Sequence, residues 1–255
     1  MSASHVISTA GHVDHGKSTL VTALTGTDPD RFNEEQERGL TIDLGFASTA
    51  LPGGRTVAII DVPGHVRFLK NMLAGVGAVD ACMFVVSAVE GWMPQSEEHL
   101  RILELLDVRH GLVALTQMDL VDEETLELAE LDIAEHLEGT FLEDAPIVAV
   151  DSISGAGLED LRAALDGLLD ATPEAADHGR PRLWIDRSFA AKGSGTVVTG
   201  TLTGGTISVD DELLVEPAAR TVRVRAIQSL HSGVDQIAPG DRKSTRLNSS
   251  HSSVS

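Results

Sequence analysis

Short apolar runs alternate with amphipathic stretches along the first 170 residues. The runs at 5–10, 56–61, 79–86, 111–117 and 147–150 are each bounded by turn residues or open into a loop, which predicts buried strands. Between them, residues 17–24, 66–74, 95–106, 123–137 and 158–169 repeat apolar positions at helical spacing. Strands and helices alternating at these lengths predict an α/β domain with a mostly parallel sheet and helices on both faces. Residues 43–50 add an edge strand, paired with 56–61 across the turn Pro52-Gly53-Gly54.

The pattern changes after residue 172. Residues 173–181 are rich in small side chains without periodicity and read as a linker. Residues 183–185, 195–201, 212–215 and 221–230 then read as strands separated by glycine turns, with no helix between them, as in an all-β barrel. The predicted organisation is a first domain over 1–172, a linker over 173–181 and a β-domain over 182–242. Six of the thirteen residues from Lys243 to Ser255 are serine, with no apolar face, so 243–255 reads as a disordered tail or a segment foreign to the protein.

Charge refines this picture. The net charge is −20, yet residues 180–255 hold ten basic against seven acidic side chains, so the acidity belongs to the first part. A broad basic nucleic-acid surface is excluded there, and a local RNA contact from the second part stays open. With one cysteine, Cys82, no internal disulfide forms, and its apolar strand gives it a packing role. No apolar run approaches the roughly 20 residues of a membrane span and no leader pattern opens the chain. No membrane partner is expected, and the cytoplasm is the expected compartment.

The chemistry gathers at strand ends. Gly11-His12-Val13-Asp14-His15-Gly16-Lys17-Ser18 follows an apolar strand and opens an amphipathic helix, the context of a phosphate-binding loop. Its backbone N–H groups and helix N-terminus suit phosphate, Lys17 can reach the β and γ phosphates, and Ser18 offers a hydroxyl to Mg²⁺. Thr19 completes the candidate nucleotide set. Asp61-Val62-Pro63-Gly64-His65 closes another strand. Asp61 is placed to support the magnesium shell, Gly64 to turn its N–H onto a γ-phosphate, and His65 to orient an attacking water. Thr41, in a polar glycine-containing segment that ligand could order, is the second candidate hydroxyl for Mg²⁺. Thr116-Gln117-Met118-Asp119 ends a further strand, where the Asp119 carboxylate can accept the two N–H bonds of a guanine edge. Ser152 can supply a backbone N–H to the guanine oxygen. His12 and His15 lack an acidic or thiol partner at metal spacing, and the acidic run 122–144 lacks a calcium-loop pattern and reads as a solvated helix face.

These strings resemble the translational GTPases. Thr41-Ile42-Asp43-Leu44-Gly45-Phe46 and the string from Glu90 through Gly91-Trp92-Met93-Pro94-Gln95 to Leu100 narrow the resemblance to the selenocysteine-specific elongation factors of bacteria. Residues 185–189 and 193–201 are similar to that family's second domain, and the match runs from about residue 4 to 242. The resemblance implies a P-loop GTPase domain and an elongation-factor barrel, here incomplete, with GTP/GDP and Mg²⁺ as cofactors. It implies selenocysteyl-tRNA and the ribosome as partners. It also implies a third domain and a winged-helix arm gripping an mRNA hairpin, both absent here, so the chain reads as a fragment. Asp186 and Arg187 would lie beside the esterified amino acid. Two positions depart from the family pattern: Gln117 stands where a lysine packs along the base, and Asp151-Ser152 replaces Ser-Ala. The alternatives are another translational GTPase, such as an elongation factor Tu or initiation factor subunit, and a nucleotide-switched binding module with negligible hydrolysis.

Overall fold

A computed structural model describes residues 4–29, 44–64, 79–173, 175–191, 195–229, 232–239 and 242–248. The chain divides into two compact units, Met1–Glu174 and Ala175–Ser255.

The first unit is built on a six-stranded sheet. β1 (Ser4–Ala10) lies between β3 (Thr56–Asp61) and β4 (Ala81–Ser87), with β5 (Gly111–Thr116) and β6 (Ile147–Ala149) following, all parallel. β2 (Gly45–Ala50) closes the edge antiparallel to β3, as the hairpin reading expects. Because side chains alternate along a strand, each central strand feeds two cores. Val6, Cys82, Phe84, Val86, Val113 and Leu115 face one way, against α2 (Pro94–Leu105) and α3 (Glu123–Leu137). Ile7, Met83, Val85, Leu112 and Ala114 face the other, against α1 (Lys17–Thr25) and α4 (Leu158–Ala171). Helices therefore cover both faces. Cys82 is fully buried, which pushes its thiol up to about 12.

Local chemistry sets the helix ends. Asp122 caps α3 by accepting the Thr125 N–H at 2.9 Å, with Glu123 and Glu124 in the first turn and His136 in the last. Pro94 starts α2, where its missing N–H costs no helix bond. α4 holds the β2–β3 turn: the Gly53 N–H donates to Asp166 at 2.6 Å, and Arg55 pairs with Asp166 and Asp170. A partly exposed pair contributes under about 1 kcal/mol, whereas each of the buried Leu161, Leu165 and Leu169 contributes roughly 1.5–3 kcal/mol. The leucine stripe holds α4 on the sheet, and the charges set the hairpin's position on it. The helix expected at 66–74 lies outside the described residues.

The second unit is antiparallel β. Its sheet runs β10 (Glu212–Val215), β11 (Arg220–Ser229), β14 (Arg242–Asn248), β8 (Gly195–Thr203), β7 (Arg182–Ala191). β12 (Ser232–Val234) pairs β11, and β9 (Ile207–Ser208) pairs β13 (Gln236–Ile237). Val198, Leu202, Ile207, Val222, Val224, Ile227 and Ile237 form its core. β7 is longer than expected because its register with β8 shifts between Ile185 and Arg187, which carries the pairing past the polar Asp186. Gly200 permits that shift, since a Cβ there would stand 2.1 Å from the Trp184 carbonyl oxygen.

Two expectations differ from what is found. The linker read at 173–181 divides at 174/175, and the rest belongs to the β unit. The His178 and Arg180 N–H groups both donate to the Gly204 carbonyl, at 3.0 and 2.8 Å, and Thr206 donates to Asp177 at 2.6 Å. Small residues without periodicity leave the backbone free to make these bonds. Of the tail read at 243–255, residues 243–248 enter the sheet as part of β14 where disorder was expected, and 249–255 lie outside the described residues. A strand needs only backbone donors and acceptors, and residues 242–248 contain no proline, so the absence of an apolar face hid it.

Because β14 bonds both β8 and β11, ending the chain at Asp241 separates them. Thermal denaturation is expected to show a lower melting temperature for the β unit and an unchanged one for the first unit. An unchanged profile for both would remove β14 from the fold.

Candidate functional site

The site forms where β1, β3, β4 and β5 end, the carboxyl edge at which open α/β sheets bind ligands. Leaving β1, Gly11 takes φ 129°, and a Cβ on it would lie 2.1 Å from the Val85 carbonyl oxygen. Asp14 at φ 65° and Gly16 at φ 78° turn the loop into α1. α2 braces this loop. The Gly11 N–H donates to His99 Nδ1 at 3.0 Å and the Val13 N–H to Gln95 Oε1 at 3.1 Å. These two roles were not read from the sequence. Their signal was present in the spacing, since residues four apart on a helix present side chains to one side.

The loop's histidines are neutral. Burial pushes His15 down to about 4 and His99 to about 3, and lowers His12. Accepting at Nδ1 fixes the Nε2–H tautomer of His99. His15 approaches the Val85 carbonyl with Nδ1 at 3.3 Å, and its Nε2 stands 3.5 Å from the Glu90 carboxylate without a hydrogen bond. The loop's positive charge therefore rests on Lys17.

Lys17 is almost wholly buried, and burial pushes it down to about 8. Its Nζ donates to the His12 carbonyl at 2.5 Å, leaving two ammonium protons for a ligand. Beside it Ser18 donates to Asp61 Oδ2 at 2.6 Å, and Thr9 donates to Asp61 Oδ1 at 2.8 Å while accepting the Val62 N–H at 3.0 Å. Gly64 passes so close that a Cβ would lie 2.5 Å from Lys17 Nζ and 2.7 Å from the Val13 nitrogen. A buried ammonium, a hydroxyl against a buried carboxylate, and a glycine edge beside the loop fit a phosphate chain with a hard divalent cation. Ser18 and Asp61 are the described residues that suit that cation.

A second cluster lies at the ends of β5 and β6. Thr116 donates to the His15 carbonyl at 2.8 Å and so ties β5 to the phosphate loop. Gln117, at φ 60°, accepts from Ser87 at 2.5 Å and turns its amide toward the Asp14 carbonyl at 3.5 Å. The amide thus contacts the loop where the family places a lysine. Asp119 follows on an exposed 3-10 turn, Met118–Leu120. Asp151 binds the Ile153 and Ser154 N–H groups, each at 2.8 Å, and the Ser154 hydroxyl with these two bonds holds its carboxyl below the usual range. Asp151 therefore shapes its own turn, with the half-buried Ser152 within it.

Thr41 and His65 lie outside the described residues. Asp186 and Arg187 fall at the register shift of β7, in the second unit.

The family described as Elongation factor Tu GTP binding domain matches residues 3–171. The chain is 44% identical over 242 residues to a selenocysteine-specific elongation factor of Desulfomicrobium baculatum, covering 95% of this chain and 38% of that protein. A crystal structure of a bacterial selenocysteine-specific elongation factor superposes with TM-score 0.93 at 40% identity, over 98% of this chain and 43% of that one. The elongation factor SelB from Methanococcus maripaludis, in complex with the GTP analogue GppNHp, gives TM-score 0.85 at 28% identity, over 97% of this chain and 52% of that one. The chain therefore spans about two fifths of the length of the bacterial relatives it matches.

Lys17 yields a pH prediction. Near pH 8 about half of the free chain carries this proton, and a phosphate against Nζ raises the pKa back toward its ordinary value. GDP binding at about pH 8 is expected to take up about half a proton, with affinity falling as the pH rises further. Calorimetry in two buffers of different ionisation enthalpy measures the uptake. No uptake would separate Lys17 from the phosphates.

Proposed function

The chain belongs to the elongation factor Tu GTP-binding family over residues 3–171, and from that premise we propose that it binds GTP with Mg²⁺, hydrolyses it, and carries selenocysteyl-tRNA to the ribosome in the cytoplasm. The observation that carries the nucleotide half is the convergence of Lys17, Ser18 and Asp61 at the mouth of a loop braced by His99 and Gln95. The tRNA half rests on the likeness to selenocysteine-specific factors across nearly the whole chain.

The roles follow from the chemistry of each group. The loop N–H groups other than those of Gly11 and Val13, together with Lys17, hold the β and γ phosphates and stabilise charge on the bridging oxygen. Ser18 and Thr41 present hydroxyls to Mg²⁺, and Asp61 orients the Ser18 hydroxyl. The cation, when bound, neutralises charge across the β and γ phosphates. His65 positions the water that attacks the γ-phosphorus, and the β–γ bridging bond breaks to leave GDP and phosphate. Asp119 accepts the guanine N–H pair, Ser152 donates to the guanine oxygen, and Thr116 and Gln117 fix the base loop on the phosphate loop. The segment around Thr41 is ordered by GTP and relaxes on hydrolysis, which releases the tRNA. Asp186 and Arg187 face the aminoacyl group, where a guanidinium favours an ionised selenol over a serine hydroxyl. The mRNA hairpin is left to a part of the longer relatives that this chain does not span.

Single-turnover hydrolysis with and without ribosomes tests this reading. His65→Ala is expected to leave GTP affinity within about twofold and to lower the stimulated rate by 100-fold or more, because a water-orienting group acts in the transition state. Equal losses in affinity and rate would make His65 structural. Stimulation by ribosomes with elongator aminoacyl-tRNA, and none with selenocysteyl-tRNA, would favour another translational GTPase.

A further inference from the structure

The second unit carries a cavity of about 500 Å³ that the nucleotide reading does not use. His178, Arg180, Arg182 and Thr203 line it, with Gly204 and two small alanines at 175 and 176. Its walls are held in place by the backbone. The Gly204 carbonyl accepts the N–H groups of both His178 and Arg180, and Arg182 pairs with Thr203 in the β7–β8 ladder. The two arginines thus stand on backbone that is hydrogen-bonded to the β8 end, rather than on a free loop.

The side chains are arranged for an anion. Neither Arg180 nor Arg182 makes an ion pair among the described residues, although the chain carries a net charge of −20. Cations left unpaired in so acidic a protein point to a ligand charge rather than a structural one. The nearest carboxylate in sequence, Asp177, is engaged by the Thr206 hydroxyl at 2.6 Å and the Gly179 N–H at 2.8 Å. Those bonds hold its carboxyl below the usual range and tie it to its own turn. The Arg182 guanidinium sits 5.6 Å over the ring of Trp184, two residues along the same face of β7. Trp184 is 46% exposed, and its indole N–H is satisfied by Thr203 at 2.9 Å. That bond fixes the ring plane and leaves apolar area open to solvent. Guanidinium forks beside a fixed, exposed aromatic ring are the combination that grips a phosphodiester and stacks the neighbouring base.

We propose that the cavity lined by Arg180 and Arg182, with the Trp184 ring beside Arg182, is a docking site for the RNA backbone. This rests on the tRNA-carrying reading and places an RNA contact in the β unit, separate from the aminoacyl residues Asp186 and Arg187. The site reads phosphate and stacking, so it holds RNA whatever amino acid is attached.

The test uses the 255-residue chain with two probes, a single-stranded RNA octamer and selenocysteyl-tRNA, titrated across a KCl series. Arg180→Ser with Arg182→Ser removes two phosphate contacts. It is expected to lower the slope of log K against log salt by about 1.4 and to weaken octamer binding by about 25-fold at 0.1 M salt, with the difference vanishing toward 1 M. Arg180→Lys with Arg182→Lys is expected to restore the slope, since it restores the charge. Trp184→Ala is expected to weaken binding without changing the slope. Arg109→Ser, an exposed arginine in the first unit, serves as the control. Unchanged slope and affinity in the double serine variant, or no octamer binding by the unaltered chain, would overturn the site. Octamer binding that depends on Arg180 and Arg182, with tRNA binding indifferent to GTP and to selenocysteine, would uphold the site and overturn the delivery reading.

Discussion

The bond between Ser18 and Asp61 is the contact on which the first unit's chemistry depends. One buried carboxylate receives the hydroxyl that opens α1 and the Thr9 hydroxyl of β1, while Thr9 accepts the Val62 N–H just past β3. Two strand ends and a helix N-terminus are thereby fixed at a single point. Lys17 comes with them, since it precedes Ser18 and has no room to leave between His12 and Gly64. The unit thus holds the Lys17 ammonium and the Ser18 and Asp61 oxygens in place, which under the proposed function reduces the ordering cost of binding.

Around that point the protein avoids extra charge. Three histidines lie against the loop, and burial leaves all of them neutral at physiological pH. They serve as hydrogen-bonding and packing groups. A protonated His99 would lose its acceptor for the Gly11 N–H and place a second cation beside Lys17. Lys17 remains the one strong positive group of the loop, and its lowered pKa follows from burial, which outweighs the raising pull of the Asp61 and Asp14 carboxylates.

The parts of this arrangement set by periodicity and spacing were readable in the chain. The two-residue alternation in 81–87 sends Cys82, Phe84 and Val86 to one core and Ala81, Met83 and Val85 to the other, which is a parallel sheet covered on both faces. The loop glycines, Lys17, Ser18 and Asp61 were legible because each stands at a strand end in a spacing that phosphate chemistry demands. Contacts between distant segments were not. His99 and Gln95 look like ordinary polar residues of a helix until the fold brings them to the Gly11 and Val13 N–H groups. Gln117 read as a lost lysine, yet its amide reaches toward the Asp14 carbonyl as a neutral donor. Asp151 read only as a departure from the family pattern, and its carboxylate binds its own turn. In the β unit, backbone bonding decided what composition could not, both at the supposed linker and at β14.

Under the proposed function this loop and the Asp119 turn together hold a guanine nucleotide through magnesium. Calorimetric titration of the chain with GDP, a non-hydrolysable GTP analogue and ATP, each with Mg²⁺ and with chelator, tests it most directly. Both guanine nucleotides are expected to bind, more weakly when Mg²⁺ is removed, and ATP at least about 1000-fold more weakly, because a site built to accept an N–H pair is left unpaired by adenine. Comparable affinity for ATP, or guanine-nucleotide binding indifferent to magnesium, would contradict it.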